Sequence, residues 1–167
     1  MKVLQTQRLQ LHRITEADAA FYVKLFNSES WLQYIGDRNV HTIADAEAYI
    51  RKNYLSSYKK HGYGSYTVRL EETGETIGAC GLYKRDDLDH PDIGFAFLTQ
   101  HLGKGYGYEA ASAVMEYARN KLGIKTLLGF TVEDNIASVK LLEKLGLKQK
   151  GTYTFKDAPV ELLLFSN

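Results

Sequence analysis

Asp92-Ile93-Gly94-Phe95-Ala96-Phe97-Leu98-Thr99-Gln100-His101-Leu102-Gly103-Lys104-Gly105-Tyr106-Gly107-Tyr108-Glu109-Ala110 runs from an apolar stretch, through a loop with glycine at every second position, into a helical pattern. Asp92 to Leu98 is short and almost wholly apolar and reads as a strand. After the loop, Ala111, Val114, Met115, Ala118 and Leu122 recur on one helical face, and Gly123 sits where a C-terminal cap belongs. Thr126 to Val132 is the next strand. Two strands joined by a single helix lie side by side in parallel with a right-handed crossover. The glycine loop then falls outside the carboxyl end of its strand, where such units bind ligands.

Working outward, Ser65 to Leu70 and Thr76 to Tyr83 flank Glu71-Glu72-Thr73-Gly74-Glu75, a hairpin signal, and Lys84 to Pro91 is a charged loop. Arg8 to Ile14 alternates Leu9 and Leu11 with polar neighbours, as a strand does. Thr15 with Asp18, and again Thr42 with Asp45, place an acid three residues after a capping threonine. The first helix carries Ala19, Val23 and Phe26; the second carries Ala46, Tyr49, Ile50 and Tyr54 to about Tyr58. Ala137 to Leu145 reads as a helix ended by Gly146, and Leu147 to Phe155 and Val160 to Phe165 as closing strands. No repeat or linker interrupts the chain. The expectation is one mixed α/β domain over residues 1–167, with about four helices. An exposed final strand would offer an edge for a homodimer; a monomer is the other expectation.

Composition narrows the partners. The 167 residues are 44% hydrophobic and 25% charged, and 21 basic against 20 acidic side chains leave a net charge of +1. No global field favours nucleic acid or a membrane surface, so a bound polyanion must be gripped locally. Cys80 is the only cysteine and lies in an apolar strand, which excludes an internal disulfide and favours an inert thiol. The five histidines lack zinc-ligand spacing, so no metal is expected. No run approaches 18 apolar residues and the start lacks a signal-peptide core, so a cytoplasmic protein is expected.

The loop has the makings of an anion cradle. Gly103, Gly105 and Gly107 remove side chains from the path of a ligand and let N–H groups turn outward, and Lys104 adds a charge. The helix that follows leaves its first amides unpaired. A tight strand-to-helix turn would also use glycine, but three exceed what one turn requires. A Rossmann loop would need glycine where Tyr108 stands, and the Gly-Lys-Ser/Thr of a P-loop is missing. The residues alone reach a pyrophosphate-containing ligand and no further.

The segment resembles the acetyl-coenzyme A signature of the GNAT N-acetyltransferase superfamily, an Arg/Gln-x-x-Gly-x-Gly/Ala loop after a strand. Thr6-Gln7-Arg8-Leu9-Gln10-Leu11, Ile93-Gly94-Phe95, Gly103-Lys104-Gly105-Tyr106-Gly107 with Glu109-Ala110, and Asn135-x-x-Ser138 through Lys144-Leu145-Gly146-Leu147 resemble its RimJ/RimL-like branch, in order along nearly the whole chain. Aligned on Gly105 and Gly107, the Arg/Gln position is Leu102, a departure; Gln100-x-x-Gly103-x-Gly105 would restore it but start the helix too early. The resemblance implies a mostly antiparallel sheet in which Asp92–Leu98 splays from Thr126–Val132. Acetyl-coenzyme A would lie in the gap, its pantetheine on backbone amides near Phe97 and Leu98. Its diphosphate would sit on Leu102, Gly103, Lys104, Gly105, Tyr106 and Gly107, with Asn135 and Ser138 alongside.

The implied reaction moves acetyl directly to a primary amine, either a protein N-terminal α-amine or a small-molecule amine. Such a reaction needs a neutral amine, a polarised carbonyl and a leaving thiolate. Many family members carry an acidic Tyr seven positions after the motif asparagine; here that residue is Leu142. Ser138 matches a Ser placed near the leaving sulfur in the RimJ/RimL-like group, and an ordinary first-turn serine is the other reading. Asn135 is a pantetheine contact or a helix cap. Asp92 is the candidate base, against a solvated acid at a strand end; Glu109 reads as steadying the helix start. Deprotonating an α-amine at pH 7 costs about 1.4 kcal/mol and a lysine about 4.6 kcal/mol, so a site without a strong base leans toward α-amines. The missing tyrosine and Leu102 also fit a non-catalytic coenzyme A-binding module. Aromatic residues Trp31, Tyr34, Tyr54, Tyr58, Tyr63 and Tyr66 fall where the superfamily shapes its acceptor cleft.

Overall fold

A computed structural model describes residues 1–167. Its centre is one eight-stranded sheet, in the order β1 (Lys2–Gln5), β2 (Leu9–Arg13), β3 (Ser65–Leu70), β4 (Thr76–Tyr83), β5 (Asp92–Phe97), β6 (Leu128–Thr131), β8 (Ala158–Ser166), β7 (Lys148–Phe155). Every neighbouring pair is antiparallel except β5 and β6. The mixed α/β sheet with one parallel pair is as the sequence implied. The final strand is not at the edge: β8 lies between β6 and β7, and the edges are β1 and β7. Lys148, Gln149 and Lys150 stand exposed at the start of β7, the kind of charge that discourages edge pairing.

Alternation along the strands sorts the core into two layers. Leu9, Leu11, Tyr66, Val68, Leu82, Ile93 and Phe97 face α5 (Tyr106–Asn120), whose Ala110, Ala111, Val114, Met115 and Ala118 are buried against them. On the other face, Ala79 and Leu98 pack with Tyr22, Leu25 and Phe26 of α1 (Ala19–Phe26) and Ala46 of α3 (Ile43–Tyr49). Burying a residue the size of Val or Met is worth about 1.5–3 kcal/mol, so each layer holds its helices firmly. No helix is long and apolar enough to cross a membrane.

Both capping boxes form: Thr15 with Asp18, and Thr42 with Asp45, whose carboxylate accepts from the Thr42 amide at 3.1 Å. From α3 the chain continues through a π-helical turn, Ile50–Leu55, into α4 (Ser56–His61). Ala46, Ile50, Tyr54 and Tyr58 are all buried, four residues apart. A stripe at that spacing drifts about 40° per step around a 3.6-residue helix, and the wider turn takes up the drift. Two elements had no sequence signal: β1, and α2 (Glu29–Tyr34), which buries no residue fully.

Candidate functional site

β5 and β6 pair only at Asp92↔Leu128 and Ile93↔Gly129, then part. The Leu98 amide donates to the Ile77 carbonyl at 2.9 Å, which fixes which β5 groups face β4. By alternation, the N–H and C=O of Phe95 and Phe97 point instead toward β6, into the gap. Of the free amides expected near Phe97 and Leu98, the one at Leu98 is corrected: it is engaged with β4, while Phe95 and Phe97 open on the cleft. A cleft of about 1610 Å³ runs from this gap across both sheet faces, from the glycine loop to α2.

At its far end the loop behaves as its glycines suggest. Gly103 and Gly105 have φ of 73° and 82°, a left-handed conformation that favours glycine, and a Cβ at Gly103 would meet open space. Gly105 is the N-cap of α5 and Tyr106 its first residue, as the alignment on Gly105 and Gly107 requires. No protein group accepts from the amides of residues 103–108. Six unpaired amide donors at and just before the start of a fifteen-residue helix form an arrangement suited to an anion. Lys104 is exposed beside them, and Leu102, half exposed at 50%, supplies an apolar wall to the cleft.

A clamp from the other end of the chain holds the loop in place. Glu109 accepts from Thr6 Oγ1 at 2.6 Å, the Arg8 amide at 2.8 Å and Arg8 Nε at 2.7 Å. Arg8 Nη1 in turn donates to the Lys104 carbonyl at 3.0 Å, and its guanidinium lies 4.6 Å from the Tyr106 ring centroid. Burial alone would raise the Glu109 carboxyl, but the bonds from Thr6 and Arg8 prevail and hold it below its ordinary value. Glu109 is thus a steadying residue, as its place in the first turn suggested. Its partners, 101 and 103 residues away, had no visible link to it in the sequence.

The wall formed by α6 (Ile136–Lys144) brings Asn135 and Ser138 to the cleft. Asn135 Oδ1 accepts the Ser138 amide at 3.2 Å, so the asparagine is a helix cap. That bond sets Ser138 on the cleft wall with its hydroxyl unengaged by the protein. Leu142 is 1% exposed, packed over Gly129, and belongs to the core. Lys140 and Lys144 line the cleft too, Lys144 Nζ lying 4.1 Å from the Tyr108 ring centroid.

Asp92 is neither a solvated strand-end acid nor a free base. It is 3% exposed, and its two oxygens accept from Arg85 Nε at 2.9 Å and Arg85 Nη2 at 3.4 Å. Burial pushes its carboxyl up while the guanidinium opposes the shift. Trp31, Tyr34 and Tyr54 line this half of the cleft, joined by Tyr49 and Tyr83, whereas Tyr58 and Tyr66 are core. Tyr83 Oη donates to Ser65 Oγ at 2.8 Å. His101 lines the cleft, largely buried against Glu75 at 3.1 Å, while His90 is exposed. Cys80 is buried, and burial pushes its thiol well up. Arg85 was not singled out by sequence: it sits in a charged loop with no motif around it.

The sequence and the fold match known proteins. The family described as acetyltransferase (GNAT) domain matches residues 8–148. The uncharacterized N-acetyltransferase YoaA of Bacillus subtilis is 27% identical over 150 residues, covering 89% of this chain and 84% of YoaA. Among solved structures, RimL, a ribosomal L7/L12 alpha-N-protein acetyltransferase in complex with coenzyme A, superposes with a TM-score of 0.84 at 15% identity, over 100% of this chain and 97% of RimL. The aminoglycoside acetyltransferase AAC(6')-Ib, also in complex with coenzyme A, gives 0.77 at 22% identity, over 95% of this chain and 94% of its own. At those identities the two structures speak for the fold, and they fall on different acceptors. The family match over most of the chain, with the parted β5–β6 pair and the glycine loop, shows that this protein belongs to the GNAT acetyltransferase family.

Proposed function

We propose that this protein is an N-acetyltransferase that moves the acetyl group of acetyl-coenzyme A directly to a primary amine. The observation that carries the reading is the row of six outward amides at residues 103–108, at the mouth of the gap between β5 and β6. Those residues fit a diphosphate, and the parted strands fit a narrow chain. Gly103 to Tyr108 would hold the diphosphate, and the backbone groups of Phe95 and Phe97 the pantetheine amides. When bound, acetyl-coenzyme A supplies a thioester already activated for acyl transfer. Direct transfer follows from the absence of an activated nucleophile: Cys80 is buried, and burial keeps its thiol protonated.

Within the cleft, Ser138 is the group suited to give a proton to the departing sulfur, because its hydroxyl is exposed to the cleft and its position is fixed by Asn135. With Asp92 tied to Arg85, the carboxylate at the closed end of the gap is engaged, and we assign proton removal from the amine to water. That favours an α-amine or another weakly basic amine over lysine. RimL and AAC(6')-Ib, whose names point to a protein α-amine and an aminoglycoside, mark the range of acceptors the fold accommodates. Coenzyme A, but not ATP or NAD, should raise the melting temperature, and thiol release should appear with at least one member of a panel of amines and N-terminal peptides. Stabilisation without turnover on any acceptor would instead support a coenzyme A-binding module, the reading that the buried Leu142 favours.

A further inference from the structure

Arg85 is the least explained charged group in the cleft. Its Nε and one Nη2 hydrogen are engaged by Asp92, its guanidinium carbon lies 4.3 Å from the Phe155 ring centroid, and Phe130 flanks it at 5.9 Å. Its side chain is nonetheless 41% exposed and lines the cleft. No protein group accepts from Nη1. A guanidinium braced by a buried carboxylate on one side and an aromatic face on the other is fixed in plane, with its remaining donors aimed at solvent. Such a fork suits a carboxylate. Asp87, in the same loop, feels the Arg85 charge, but neither it nor Asp86 hydrogen-bonds to the guanidinium. Asp87 accepts from Tyr153 Oη at 2.7 Å, and Asp86 faces Lys60 Nζ at 3.4 Å.

The position of this fork selects the acceptor. The gap closes where β5 and β6 last pair, at Ile93, and its first unpaired amide is that of Phe95. Asp92 stands three residues earlier, about 10 Å along the strand. A carboxylate held by Arg85 therefore lies several bonds from an amine delivered beside the first unpaired amide, that of Phe95. The α-carboxylate of a free amino acid is too close to its own amine to meet both. The side chain of an acidic residue just after a peptide's N-terminus has the required reach. Resting on the acetyltransferase reading, we propose that Arg85 is the anchor for an acceptor carboxylate, that the preferred acceptor is a peptide with Asp or Glu at its second or third position, and that Asp92 is the positioning residue that fixes the Arg85 plane.

The test compares N-terminal peptides differing only by Asp/Glu against Asn/Gln at the second and third positions, with free aspartate and glutamate alongside. Each is measured for turnover with acetyl-coenzyme A and for binding to the coenzyme A-loaded protein. The acidic peptides should be preferred about tenfold or more in kcat/KM, mostly through KM, as a charge-assisted contact of ordinary strength gives. Free amino acids should be poor. Arg85→Gln should abolish the preference and leave the coenzyme A affinity unchanged. Because Arg85→Gln strands a buried carboxylate, the double variant Arg85→Gln/Asp92→Asn, which removes both charges, is measured beside it and should behave the same way. Asp92→Asn alone should shrink the preference without removing it. Equal use of acidic and amide peptides, a preference that survives in both Arg85 variants, or no peptide turned over or bound by a protein that still binds coenzyme A would each overturn the proposal. Failure to bind coenzyme A at all would overturn the acetyltransferase reading instead.

Discussion

The two ends of β5 are built on opposite principles. Beyond its carboxyl end, the proposed coenzyme A cradle rests on main-chain amides of residues 103–108, and the side chains there matter chiefly by being absent. At its amino end, the proposed acceptor anchor rests on side chains: Asp92 from the strand, Arg85 from the preceding loop, Phe130 from β6 and Phe155 from β7. The two carboxylates that brace these ends shift in opposite directions. Glu109 is held low by Thr6 and Arg8; Asp92 is pushed up by burial against the pull of Arg85. A backbone site tolerates variation in almost everything but its glycines. A side-chain site can be retuned one residue at a time, which suits the half that chooses the acceptor.

The contrast can be broken by experiment. Ser138→Ala should lower kcat about 10²-fold, the low end for loss of a positioned proton donor, with coenzyme A affinity unchanged by calorimetry. An equal loss in affinity would make the serine a binding residue. Within the loop, Gly105→Val forces a left-handed β-branched residue and should weaken coenzyme A binding up to about 30-fold, from roughly 1–2 kcal/mol of strain. Lys104→Ala should cost only about two- to threefold, as an exposed charge does. If the lysine variant proves the worse of the two, the main-chain account fails.

Glu109→Gln disrupts the clamp and should lower the melting temperature by about 4–8 °C, for a loss of about 2 kcal/mol. Because the Glu109 pKa is depressed, its contribution is complete above the ordinary value of 4.5 and disappears as pH falls through the folded-state value. The gap between the two proteins should therefore close on acidification. Asp92 has the opposite sign: its contribution is present below 3.8 and is lost as pH rises through its raised folded value. Carboxyl-carbon NMR titration should place Asp92 above its ordinary range and Glu109 below; the reverse order would undo the contrast. The smallest effect belongs to Cys80→Ala, which should leave turnover within about twofold, since a thiol buried in the core has no part in direct transfer.

Legibility in the sequence followed the same divide. The parallel β5–β6 pair, the hairpin and the anion loop were visible because they impose local rules: alternation, capping residues, glycine where a side chain would obstruct. The Asn135 cap and the two capping boxes were visible for the same reason. What stayed hidden was long-range. Arg8 and Glu109 meet across 101 residues, and Arg85 gains meaning only once Asp92 is buried beside it. Free amides were expected near Phe97 and Leu98, and Leu98 proves engaged because hydrogen-bond parity depends on the register with β4, which no single strand discloses. β1 is four residues long and α2 buries nothing fully, so neither has a periodic face to read. The final strand lies inside the sheet because β8, not β7, pairs with β6, a choice between hairpin strands that no local pattern reveals.

That last strand has a consequence for how the protein is made. Apart from its brief pairing with β5, β6 has β8 as its sole neighbour in the sheet, and β8 is synthesised last of all the strands. One jaw of the cleft therefore has no lasting support while translation is still under way, however early the glycine loop emerges. A nascent chain cut short within β8 would carry the whole glycine loop and still lack a supported wall across the cleft from it.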